Sequence, residues 1–335
     1  MNSFSIPEEL RDSAQRMFRI TGFVTALCSE TDQRPLAFAR FYHVRRVAWT
    51  SKLLCSLRLH SGLIDDQAKV HWLAWAHDLN RWPFAHNAEK GLFDQAADVP
   101  RYFADQGIAI SASVDQDLQG IINKDHTQLS TEGRIVLLAD IITGFIEDPL
   151  WTVTALDLRP SFVPEHIAEF LCLKLKRRDL QQRLFEMNRL FASTRSVEPF
   201  ETHFDHLFQE TMESFVIQHK LAIRLPLGEP NFEDWRLRVK EDFMRQRIFR
   251  YNNDLISKGA LLRSRLIEPL YYKLGDNAAQ IFTTIDEPET LASCVRLGLI
   301  DAADNAQFLP DLDYVSAHEP ERSFGALGRV ELDAG

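Results

Sequence analysis

The chain has 335 residues, of which 45% are hydrophobic and 26% charged, and a formal net charge of −10. That balance excludes a disordered or fibrous chain, and the negative charge argues against a protein whose main task is to hold duplex nucleic acid, which needs a basic face. Only 14 Gly set against 23 Phe favour an all-α fold.

The charge is uneven. Arg236 to Arg265 holds nine Lys/Arg against three Asp/Glu, so that stretch is +6 and the remainder −16. The cysteines Cys28, Cys55, Cys172 and Cys294 show no C-x-x-C spacing, so neither a disulfide framework nor a zinc finger is expected. The opening MNSFSIPEELRDS lacks a basic region followed by an apolar core, and the longest apolar run, Ile135 to Ile146, is interrupted by an Asp. A cytoplasmic protein with no membrane span is therefore expected.

In chain order, Pro7 to Ile20 reads as a first helix. Pro35 to Leu59 carries an apolar stripe that includes Leu36, Val44, Val47, Leu54 and Leu57, and is predicted as a long second helix. Asp65 to Leu79 is a third, with its two leading acids at the positive end of the helix dipole. A loop follows at Asn80 to Phe84, broken by Pro83. Asp115 to Ile122 and Thr131 to Glu147 are further helices, the latter capped by Ser130 and closed by Pro149. Helical patterning continues over 164–174, 176–193, 199–219, 232–254, 257–273 and 286–297, with no strand-like alternation and no repeat. The expected organisation is a helical core over 1–160, an α-helical C-terminal extension over 161–315 and a loose tail over 316–335.

Chemistry enters through polar residues set among apolar ones. His77-Asp78 follows Val70, Trp72, Leu73, Trp75 and Ala76, and Asp140 sits inside IVLLADII. A carboxylate in such surroundings costs several kcal/mol, of order ~2–7 for an unpaired polar group, unless it is paired or ligated. His43 lies in the second predicted helix among Arg40, Arg45 and Arg46. Adjacent side chains on a helix point about 100° apart, so His77 and Asp78 converge on one ion only at a helix end, which the loop at Asn80 supplies. The ordered set is a His, a His-Asp pair 34 residues on, and an Asp 62 residues after that. Two imidazoles and two carboxylates form a mixed N/O site suited to Mn, Fe, Mg, Ni or Zn.

This H…HD…D order resembles the HD superfamily of metal-dependent phosphohydrolases. The segment H-D-L-N-R-W-P-F-A-H-N-A-E, His77 to Glu89, is similar to the H-D-[IL]-G-H-x-P-F-G-H-x-G-E segment of the deoxynucleoside triphosphate triphosphohydrolase (dGTPase-like) family. A-D-I-I-T-G-F-I-E-D, Ala139 to Asp148, resembles that family's A-D followed by an E-D pair, and R-I-F-R-Y-N-N-D-L-I-S-K-G-A-L-L-R-S-R-L-I-E-P-L is faintly similar to its late helices. The resemblance is specific over residues 36–150 and weak beyond. It implies an HD-domain helical core, a divalent metal on His43, His77, Asp78 and Asp140, and hydrolysis of a deoxynucleoside triphosphate to nucleoside and triphosphate. It further implies roles for His86 in leaving-group protonation or in holding a phosphate oxygen and for Glu89 in orienting His86, an Arg40 that contacts phosphate or braces Asp140, and a homo-oligomer.

The chain departs from that family at Asn80, which replaces a Gly, and at Arg81, which replaces a His linked to catalysis. Ala85 and Ala88 also stand where the family has Gly. Arg81 retains affinity for phosphate but transfers no proton. Lys124 is a further phosphate-binding candidate, and His126 is the candidate for a second metal. His203-x-x-His206 reads as a surface helix face. Arg245, Arg247 and Arg250 read as a solvated face that is also able to fold over a triphosphate, and Trp82 reads as core packing or a platform for a base. Alternatives are an HD hydrolase of a nucleoside monophosphate, dinucleotide or cyclic nucleotide, a non-catalytic nucleotide-binding HD protein, and a nuclease on single strands.

Overall fold

The computed structural model describes residues 5–20, 39–56, 66–84, 88–155, 197–219 and 263–301, with residues 179, 182, 183, 186 and 189 between them. Of this described part 77% is helical and none forms a strand or sheet, so the fold is all-α. The predicted helices over 164–174 and 232–254 and most of 176–193, the tail 316–335, and the Arg245, Arg247 and Arg250 cluster lie outside the described residues.

The helices are α1 (Arg11–Arg16), α2 (Arg40–Ser56), α3 (Gln67–Ala76), α4 (Gln95–Asp105), α5 (Ala112–Asn123), α6 (Thr131–Ala155), α7 (Val197–His219), α8 (Glu268–Leu274), α9 (Ala278–Thr284) and α10 (Glu287–Arg296). Two expectations need correction. Pro149 does not close α6, which runs on to Ala155. The fully buried Ile146 and Leu150 anchor that segment in the core, and this packing outweighs the hydrogen bond that a proline cannot donate. No helix was expected between Phe84 and Asp115, yet α4 forms there with Pro100 inside it. Asp94 caps it by accepting from the Ala97 amide at 3.1 Å, and Val99, Tyr102 and Phe103 bury one face.

The axis of the fold is α6. Ile135, Val136, Leu137, Leu138, Ala139, Ile142 and Ile146 are all buried, so the helix is apolar nearly all round, as suits a central helix. Ser130 caps it as expected, its hydroxyl accepting from the Gly133 amide at 3.2 Å. Asp117 of α5 in turn accepts from the Ser130 amide at 2.8 Å and hydroxyl at 2.7 Å and pairs with Lys69 of α3. A Cβ at Gly133 would lie 2.4 Å from the Asp117 carboxylate, so this close approach requires glycine. Helices α2, α3 and α5 pack around α6. The fully buried Thr143 and Thr50 hydroxyls, 3.1 Å apart, tie α6 to α2.

C-terminal residues join both apolar clusters. Phe204, Leu207, Phe208, Met212 and Phe215 of α7 pack into the main one. Leu270, Phe282 and Leu291 of α8 to α10 form a second cluster with Trp82, Phe84 and Ala88. The loop after α3 is thereby held from several sides. The Arg16 guanidinium donates to the carbonyls of Leu79 at 2.8 Å, Arg81 at 2.7 Å and Ile285 at 2.8 Å. Phe84 takes a left-handed φ of 64°, and its amide donates to the buried Glu287 at 3.0 Å. No helix among the described residues is long and apolar enough to cross a membrane.

Candidate metal centre

Helices α2, α3 and α6 each deliver one part of a buried polar cluster. His43 comes from the first turn of α2 and Asp140 from the middle of α6. His77 immediately follows the last residue of α3, and Asp78 begins the turn beyond. The helix end that the adjacent His-Asp pair required is therefore present.

Each imidazole is fixed by a partner at Nδ1. His43 Nδ1 lies 2.7 Å from Glu147 Oε2, two turns along α6 from Asp140. His77 Nδ1 lies 2.8 Å from the Ala74 carbonyl, which only accepts, so Nδ1 donates and Nε2 is the ring nitrogen turned toward the acids. His77 Nε2 is buried without a hydrogen-bond partner, 3.3 Å from Asp78 Oδ2 and 4.0 Å from Asp140 Oδ1. His43 Nε2 lies 3.2 Å from the same Asp140 oxygen. Nδ1 anchors of this kind are what ligating histidines carry, because they set the tautomer and orient the ring.

Ligand atoms of His43, His77 and Asp140 lie within 4.8 Å of one another, and all three residues are buried. A bare imidazole lone pair turned toward carboxylate oxygens is repulsive unless a proton or a cation lies between them. The residues present therefore fit a divalent cation, to which they offer two nitrogens and one carboxylate.

Asp78 stands beside this trio, but cations hold both its oxygens. Oδ2 accepts from Arg40 Nε at 2.6 Å and from the same guanidinium's Nη2, while Oδ1 accepts from Arg81 Nε at 3.0 Å. Gln95 of α4 adds a contact of 3.4 Å to Oδ1 and a 3.0 Å hydrogen bond to Asn80. Burial alone pushes the Asp78 carboxyl up, yet Arg40, His77 and Arg81 together hold it well below the ordinary range. Asp140 follows the same pattern: burial raises it, and Lys124 and the two imidazoles depress it well below that range. Burial and Arg40 push His43 down, but Glu147 and Asp140 outweigh them and leave it above its ordinary value.

The three cations assigned to phosphate are thus found on the acids of the centre. Arg40 braces Asp78, Arg81 bridges Asp78 and Glu89, and Lys124 Nζ pairs with Asp140 Oδ2. Glu89 accepts from Arg81 Nη1 at 2.5 Å and from the Trp82 amide at 3.0 Å, so it braces Arg81 and the loop. His86 lies outside the described residues. The half-buried His126 is not among the residues brought together for a metal. Trp82 is fully enclosed against Phe93 and Phe282, each with ring centroids at 4.6 Å, which leaves no face for a base. His203 and His206 are exposed on α7, as expected.

Two positioning groups escaped the sequence reading. Glu147 was noticed only as half of an acidic pair. The second is α7, whose Asp205 holds Arg46 Nε at 2.8 Å while Arg46 Nη1 reaches Glu147 Oε1 at 3.1 Å. The buried series His43–Glu147–Arg46–Asp205 thus runs from the centre to the C-terminal half, and Phe204 lies 4.6 Å under the Arg46 guanidinium. The seven-residue spacing of Asp140 and Glu147 places them on one helix face and was the available signal for Glu147. Asp205, 159 residues from Arg46, offered none.

Compared with family models, with curated proteins and with solved structures, the chain has no match.

Proposed function

We propose that this chain is an HD-type metal-dependent phosphohydrolase acting on a small phosphorylated nucleotide. One observation carries the reading. Two buried imidazoles, each anchored at Nδ1, turn Nε2 toward a shared aspartate inside a ring of three cations. A site built only for stability has little use for the buried His77 Nε2, which has no hydrogen-bond partner beside two carboxylates, because isolated buried polar groups are costly.

In this reading His43, His77 and Asp140 hold a divalent cation, with Asp78 the adjoining acid. The cation supplies Lewis-acid polarisation of a phosphoryl oxygen and an activated water. Glu147 and the Ala74 carbonyl keep both imidazoles in the ligating tautomer. Arg40, Arg81 and Lys124 surround the acids with positive charge, which suits the approach of phosphoryl oxygens. Arg81 stays protonated throughout, so it binds and orients but moves no proton. Proton delivery to the leaving group falls to His86. The deoxynucleoside triphosphate remains the first substrate to test, on the resemblance of residues 77–89.

A second reading, a nucleotide-binding HD protein without turnover, is favoured by one feature. Arg81 replaces a catalytic His and is clamped between two acids. A screen for phosphate and triphosphate release over nucleoside mono-, di- and triphosphates and dinucleotides, with Mn²⁺ present, decides between the two. Turnover that Asp140→Ala abolishes supports the hydrolase. Stoichiometric metal and nucleotide binding without turnover supports the second reading.

A further inference from the structure

Lys124 follows α5 in the left-handed region, with φ 58° and ψ 30°. Main-chain bonds hold it there: its amide donates to the Ile121 carbonyl at 3.3 Å and the Asp125 amide to the Gly120 carbonyl at 2.9 Å. From this turn the side chain reaches Asp140 and places Nζ on Oδ2, while Oδ1 of the same carboxylate faces both imidazoles. One aspartate therefore serves the metal position with one oxygen and an ammonium with the other.

The three cations are not equally held. The Arg40 and Arg81 side chains are 13% and 9% exposed and span buried acids, whereas the Lys124 side chain is 35% exposed. A lysine head on a flexible stem exchanges protein for water more easily than a clamped guanidinium. Charge bookkeeping gives the reason for it to move. Asp78, Asp140, Glu89 and Glu147 pair with Arg40, Lys124, Arg81 and Arg46, and Asp205 pairs with Arg45 and Arg46. A divalent cation on Asp140 Oδ1 brings two further positive charges beside the ammonium on Oδ2, in a buried site where unscreened like charges repel strongly. That repulsion is relieved when an anion arrives or when the loosest cation leaves.

We propose that Lys124 is a displaceable counter-ion of the centre. It pairs with Asp140 until a divalent cation takes that carboxylate, then carries its ammonium to an oxygen of a phosphoryl anion, so that cation and anion bind with positive coupling. The inference rests on the metallohydrolase reading for the nature of the centre. By linkage, the anion tightens the cation by the same factor as the cation tightens the anion.

The test is Mn²⁺ binding to the full chain, followed by the electron paramagnetic resonance signal of free Mn²⁺. Titrations are run with and without inorganic phosphate, and a protein-free titration corrects for Mn²⁺–phosphate pairing. Wild type, Lys124→Gln and Lys124→Asn are compared, Asn being tolerant of the left-handed backbone. In wild type, phosphate tightens Mn²⁺ binding about fivefold or more, the lower end of ordinary coupling. Both variants bind Mn²⁺ about tenfold tighter without phosphate, and the enhancement by phosphate falls toward one. Equal or weaker Mn²⁺ binding in folded variants, or an undiminished phosphate effect, overturns the inference while leaving the metal centre standing. No Mn²⁺ bound by any of the three proteins overturns both.

Discussion

His43 Nδ1 lies 2.7 Å from Oε2 of Glu147, and that contact decides which ring nitrogen faces Asp140. Glu147 is nearly fully buried and lowered from its ordinary range, because His43 and Arg46 outweigh the burial that pushes it up. Glu147→Gln removes the charge but keeps the shape. Loss of such a partner behind a ligating histidine typically weakens metal binding about 10- to 100-fold. Isothermal titration with Mn²⁺ checks this, and unchanged affinity in the folded variant would show that Glu147 does not orient His43.

The Arg46–Asp205 pair extends this support to α7. Asp205→Ala leaves the buried Arg46 guanidinium, and the half-buried one of Arg45, without that carboxylate. Breaking a buried pair by removing one partner costs about 3–5 kcal/mol. Urea denaturation of the metal-free protein is expected to show a loss of that size, and a change below about 1 kcal/mol would mean the pair contributes little.

Acid should act through the same groups. Asp78, Asp140 and Glu147 have folded-state pKa values below their ordinary ones. Their contribution is fully present above the unfolded values of about 4 and is lost as pH falls through the depressed folded values. His43, raised above its ordinary value, works in the other direction and contributes stability below about pH 6.5 that is lost as pH rises through its folded pKa. On the acid side the urea midpoint of metal-free protein should therefore fall steeply below about pH 4, and the His43 contribution should fade as pH rises above about 6.5. A midpoint that holds flat from pH 5 to pH 3 would contradict the pairing described for the three acids.

Trp82 separates packing from ligand binding. It is fully buried in the cluster that joins the loop after α3 to α8, α9 and α10. Trp82→Phe should cost stability, of order 1–3 kcal/mol, as a large core side chain is shortened, yet leave nucleotide affinity unchanged. A loss of nucleotide affinity beyond the loss of fold would place a base on this ring after all.

The sequence made the helices legible because apolar residues recur with a period near 3.6, and it made the buried polar cluster legible because charges inside apolar helices stand out. His43, His77, Asp78 and Asp140 do come together, at the helix end that the adjacent pair demands. What local pattern did not reveal was who neutralises whom. Arg40, Arg81 and Lys124 read as phosphate ligands, but the nearest anions to them in space are Asp78, Glu89 and Asp140. Proline misled at Pro149, where burial of neighbouring side chains overrides a single missing hydrogen bond. Contacts over long separations, such as Arg46–Asp205 and Phe84–Glu287, leave no local signature.

The most direct test of the centre is metal content by elemental mass spectrometry on wild type and on Asp140→Ala, each purified after loading with Mn²⁺ and exhaustive desalting. The account predicts about one metal ion per wild-type chain, one buried N/O site being present among the described residues, and almost none in the variant. Substoichiometric metal in wild type, or equal metal in both proteins, would contradict it.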